Sequence, residues 1–247
     1  MSENSSVLGK ALKYINDAIT LFQYGESTEE SARYLFEAGD LFGGRYKRLL
    51  LDLGFLSQDL SGSEEEVNEL SRELFGEDCI TEKGKEGALK CVVKVRDWLQ
   101  KYFREEDSCV YDVRAPKDII DACKLTGKKL GGTDLRIFAT SNGIGIYDEE
   151  LPIAVYINSD NRRTITIFNT TGLDYYNEIS EKTGVHMSCR TERDDEAICD
   201  VEDNKDLPSA LAVAAYQYYV LVKSDLRLKH AEKIELDDFK RLISGGK

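Results

Sequence analysis

Up to about residue 105, apolar residues recur at intervals of three and four. Val7, Leu8, Ala11, Leu12, Ile15, Ala18, Ile19 and Phe22 fall on one face of a helix, and Gly25 is placed to stop it. Ser27 to Glu30 reads as a capping box, in which a serine hydroxyl accepts from the glutamate amide and the carboxylate reaches back. The helix it opens carries Ala32, Leu35, Phe36 and Gly39 as far as Gly43-Gly44, and Arg45 to Leu56 continues as another. Ser63 to Glu66 is a second capping box. Val67, Leu70 and Leu74 give the stripe that follows it, and Gly76 ends it. Ala88, Leu89, Val92, Val93, Val95, Trp98, Leu99, Tyr102 and Phe103 mark the last helix of this half. Stripes of this kind with short connections predict a small bundle over residues 1–107, with Arg104 to Asp107 as a solvated boundary.

Beyond that boundary the period changes. Ser108 to Val113 reads as extended, and Ala115-Pro116 opens a short helix through Ile119, Ile120 and Cys123 that should stop near Gly127. Leu135 to Thr140, Ile144 to Tyr147, Ile153 to Asn158 and Arg163 to Asn169 are rich in Ile, Val, Thr, Tyr and Phe, as antiparallel strands are. Ser141-Asn142-Gly143 supplies a hairpin turn between the first two. Leu173 to Thr183 reads as a helix, and Val185 to Arg190 and Ala197 to Val201 as two further strands. A long helix then runs from about 207 to 231 and a short one from Leu236 to Ile243. The expected fold class is α+β: an N-terminal helical bundle (1–107) followed by a mainly antiparallel sheet with flanking helices (108–247).

Charge narrows the range of partners. The chain carries 33 Lys and Arg against 46 Asp and Glu, a formal net charge of −13. An acidic chain lacks the electrostatic footprint of a duplex-binding protein and is poorly matched to anionic lipid. Its longest apolar run, Ala210 to Val222, is too short for the roughly 20 residues of a membrane-spanning helix, so no membrane segment is expected. The N-terminus lacks the basic-then-apolar pattern of a leader, and none of the six cysteines forms a CxxC pair. Those two features lead to an expectation of a cytoplasmic protein with six reduced cysteines.

Motifs for catalysis or cofactors are sparse. His186, Cys189 and Cys199 are one ligand short of a structural zinc site, and no GxSxG elbow or phosphate loop occurs. The acidic run from Glu192 to Asp203 lacks the glycine of a calcium loop and reads as a solvated turn. No catalytic residue, metal ligand or cofactor is therefore assigned. The binding candidates are two basic pairs, Lys128 with Lys129 and Arg162 with Arg163, and the helix at 207–231. That helix is apolar on two sides and presents Tyr216 and Tyr219, so a homodimer contact competes there with simple burial. The leading expectation is a non-catalytic cytoplasmic interaction module (adaptor, scaffold or regulatory subunit) with a protein partner. The alternatives are a metal-dependent hydrolase or nuclease drawing on Asp134, Asp148, Asp195 and Asp200, and a single-strand nucleic-acid binder using the basic loops.

Overall fold

A computed structural model describes residues 6–24, 28–42, 44–58, 63–130, 135–141, 143–147, 155–158, 164–168, 181, 184–193, 196–202 and 206–212. The fold is α+β, and the chain divides into two compact units, Met1–Glu105 and Glu106–Lys247.

The first unit is helical: α1 (Val7–Tyr24), α2 (Thr28–Phe42), α3 (Gly44–Ser57), α4 (Glu64–Phe75) and α5 (Gly84–Tyr102). Ala11, Ile15, Ala18 and Ile19 form the buried stripe of α1. The amide N–H groups of Val7 and Leu8 donate to the Glu105 carboxylate at 3.2 and 2.8 Å. An anion so placed satisfies two otherwise orphaned donors and complements the helix dipole. Ser63 caps α4 by accepting from the Glu66 amide at 3.2 Å. The Glu66 carboxylate lies 3.8 Å from Arg48, so the reciprocal half of the capping box is replaced by an ion pair with α3. The centre of the unit is aromatic. Phe42, Tyr46, Phe75 and Phe103 make edge-on and tilted contacts, and Phe75 stacks on Trp98 at 3.9 Å.

The link from α4 to α5 is held by side chains of α4. Asn68 Oδ1 accepts from the amides of Cys79 and Ile80 at 3.1 and 2.8 Å, and its Nδ2 donates to the Ile80 carbonyl at 3.0 Å. Ser71 Oγ accepts from the Cys79 amide at 3.0 Å. The segment is thereby laid against α4 with Cys79 facing Cys91 of α5, and the two form a disulfide.

Among the described residues eight strands follow α5, interrupted by helix α6 (Lys117–Lys129): β1 (Phe103–Glu106), β2 (Cys109–Asp112), β3 (Arg136–Thr140), β4 (Gly143–Tyr147), β5 (Val155–Asn158), β6 (Thr164–Phe168), β7 (Met187–Arg193) and β8 (Glu196–Val201). Their order in the sheet is β1-β2-β3-β4-β5-β6-β8-β7. The pairing is antiparallel from β3 onward. The pair β2–β3 is parallel and uses α6 as its crossover, as a parallel pair requires. The register sets Thr140 opposite Gly143, so that glycine opens β4 itself, with φ 130°, instead of sitting in the turn. β3 is buried from Arg136 through Ala139, and Ile137, Ala139, Ile144, Ile146 and Ile165 form the sheet's share of the core. Residues 207–212 are helical and add Leu207, Ala210, Leu211 and Ala212 to it. At the sheet edge, β7 exposes Ser188 and Arg190 and is bulged between Thr191 and Arg193. A charge and a bulge are devices that discourage a further strand from adding there.

The cysteines overturn an expectation. Instead of six reduced thiols there are three disulfides, Cys79–Cys91, Cys109–Cys123 and Cys189–Cys199, with Cα separations of 4.9, 5.7 and 3.9 Å. The reason is geometric: a disulfide needs two β-carbons brought together by the fold, not a CxxC spacing. Disulfides form and persist in oxidising surroundings, so the expected cytoplasmic location is corrected to an oxidising, non-cytoplasmic compartment. Among the described residues no helix is long and apolar enough to cross a membrane. The predicted helices at 173–183 and 236–243, and most of that at 207–231, lie outside the described residues.

Candidate functional site

Lys128 and Lys129 sit in the last turn of α6, and the structure explains how that turn is fixed. Asp112, 3% exposed at the end of β2, accepts from the Arg114 amide at 2.8 Å and from its guanidinium at 2.6 to 3.1 Å. This closes a turn that aims the chain into α6. Cys109–Cys123 then ties the start of β2 to the middle of the helix. Farther along, the turn between β1 and β2 lies directly on Gly127, where a β-carbon would come within 2.1 Å of the Asp107 carbonyl oxygen. Gly127 is therefore inside α6 and does not end it as the sequence suggested. Only a residue without a side chain admits the turn so close.

The surface built this way carries Glu106, Asp107, Tyr111, Lys124, Leu125 and Lys128. Lys128 Nζ pairs with Asp107 Oδ2 at 3.1 Å. Lys124 Nζ donates to the Glu106 carboxylate and stands 4.7 Å over the Tyr111 ring. That hydrogen bond holds the Lys124 ammonium above the usual lysine pKa, whereas burial pulls Lys129 below it. Two carboxylates thus answer two ammonium groups, so the corner is not the open basic patch that the lysine pair suggested. Leu125 projects from it with 49% of its surface exposed. On a helix its neighbours one turn away are Asp121, Lys128 and Lys129. Leu125 is inconspicuous in the sequence because it lies off the buried stripe of Ile119, Ala122, Cys123 and Thr126. A helical projection of α6 is the signal that isolates it.

Arg162, Arg163, Tyr216 and Tyr219 lie outside the described residues, as do Asp134, Asp148 and Asp195. Asp200 is exposed on β8 and forms an ion pair with Arg190 of β7. Both Cys189 and Cys199 are committed to their disulfide, which removes the thiolates from any metal site with His186. Among the described residues no group of three or more His, Cys, Asp or Glu is placed to hold a metal ion. No family model, curated protein or solved structure matches the chain.

Proposed function

We propose that the protein is a non-catalytic interaction module working in an oxidising compartment, and that it presents the outer face of α6 to a protein partner. The observation that carries this reading is Leu125, a large apolar side chain 49% exposed on a helix that a disulfide pins two residues earlier. An apolar side chain on a pinned helix, ringed by charges, has the layout of an interface anchor with its polar rim. Because the Lys124–Glu106 and Lys128–Asp107 pairs already order the rim, docking there would cost little side-chain entropy. A partner with a small apolar hollow bordered by mixed charge fits this face.

The test compares proteins captured at native salt by the parent, by Leu125→Asp, and by Asn16→Asp on the exposed face of α1 as control. A partner recovered by the parent and the control but lost with Leu125→Asp supports the proposal. Sedimentation of the parent over a range of concentrations distinguishes a second copy of the chain from a different partner. Identical captures by all three proteins would move the interface elsewhere, and turnover of a phosphodiester stimulated by divalent ions would replace the reading with a hydrolase.

A further inference from the structure

The six cysteines pair in the order in which they are synthesised: first with second, third with fourth, fifth with sixth. Six cysteines admit fifteen arrangements, and this is the one in which each pairs with its neighbour along the chain. We propose that the protein reaches its native disulfides without an isomerase and requires from its compartment only a thiol oxidant of the disulfide class. In each of the three steps two cysteine thiols give up two protons and two electrons, one S–S bond forms, and the oxidant's disulfide is reduced to two thiols.

Loop length favours these pairs. The native partners are 12, 14 and 10 positions apart. The nearest competing pairs are Cys91 with Cys109, 18 positions apart, then Cys79 with Cys109, 30 apart, and Cys91 with Cys123, 32 apart. Closure becomes less probable as roughly the three-halves power of loop length, so the native loops are favoured by about twofold over the first competitor and about fourfold over the next two. A factor of two does not decide an arrangement, and local structure supplies the rest. Asn68 and Ser71 hold Cys79 against α4, where it faces Cys91 of α5. Cys109 and Cys123 belong to one strand–turn–helix unit closed by Asp112 and Arg114. Cys189 and Cys199 face each other across adjacent antiparallel strands. Each pair is thus assembled within one stretch of chain by contacts that need no other cysteine. Synthesis adds an order, since N-terminal segments fold first and Cys79 and Cys91 both emerge ahead of Cys109.

The experiment takes the full chain, unfolded and reduced, and reoxidises it with glutathione disulfide, with and without catalytic protein disulfide isomerase. Free thiols are trapped by alkylation at intervals, and the pairs are identified by mass spectrometry of peptides. The three native pairs should dominate the one- and two-disulfide species, with isomerase changing the final native yield by less than about twofold. Early dominance of Cys91–Cys109 or any other non-native pair, or a larger gain in yield from isomerase, would overturn the proposal. If the chain aggregates on refolding, export to a bacterial periplasm with and without its disulfide isomerase makes the same comparison: equal native yield supports the proposal, and loss of native protein without the isomerase overturns it.

Discussion

Gly127 sets the geometry of the corner on α6, because the Asp107 carbonyl occupies the space a β-carbon would need. Gly127→Ala should therefore destabilise the protein by roughly 1–3 kcal/mol, the usual cost of overpacking, although alanine is the better helix former. Thermal melts check this, and a variant as stable as the parent would mean the turn does not rest on the helix. Asp52 makes a second case. Its Oδ2 is buried and accepts no hydrogen bond among the described residues, and Arg48 Nε is 3.8 Å away. Burial raises its pKa, an effect that the nearby Arg48 charge opposes in part. The unfolded chain thus releases this proton near the ordinary value of 3.8 while the folded chain still holds it. Stability falls as pH rises from there through the folded pKa. Asp52→Asn removes that loss, so the variant's melting temperature relative to the parent should be higher at pH 7 than near pH 3.5. A difference independent of pH would contradict it. At this scale the sequence was a partial guide. It marked Gly127 as special but as a stop, because the partner that makes glycine necessary is a turn 20 residues earlier. It marked Lys128 and Lys129 as basic, but not the carboxylates that neutralise the corner.

Among elements, the most consequential is the strand–turn–helix unit that positions the proposed interface. Removing its disulfide in Cys109→Ala/Cys123→Ala should cost about 3 kcal/mol, the loop-closure entropy of a bridge over some 15 residues. The loss should appear in denaturant melts with little change in far-UV circular dichroism, since Asp112, Arg114 and Gly127 still guide the chain. A collapse of helical signal would assign the disulfide a larger share of the fold than the account gives it. The described helices were legible because long amphipathic stripes and caps such as Ser63 and Gly76 are local signals. β1 was not: Arg104 to Asp107 looked like a solvated boundary, and its pairing depends on a turn with positive φ at Asp107 and Ser108, a conformation uncommon outside glycine. The parallel pairing of β2 with β3 was equally hidden, because strand periodicity carries no information about direction.

For the whole molecule, we propose that residues 1–107 and 108–247 are separate folding domains. The compact unit ending at Glu105 and the aromatic centre made of Phe42, Tyr46, Phe75, Trp98 and Phe103 support this. A fragment of residues 1–107 should be helical, melt cooperatively and show the blue-shifted emission of a shielded Trp98. An unstructured fragment would make the first unit dependent on the second. The acidic composition and the α+β order could be read directly from residues, but the redox state could not. Six cysteines without a CxxC pair look inert until the fold shows Cys79 facing α5, Cys109 facing α6 and Cys189 opposite Cys199. That pairing points to an oxidising compartment, staples the proposed interface and underlies the proposed folding route. The most direct test is to denature the unreduced protein with an alkylating reagent present and then map its peptides by mass spectrometry. No alkylated cysteine and three cross-linked peptides are expected, 79 with 91, 109 with 123 and 189 with 199; six alkylated cysteines in protein prepared without reductant would contradict this pairing.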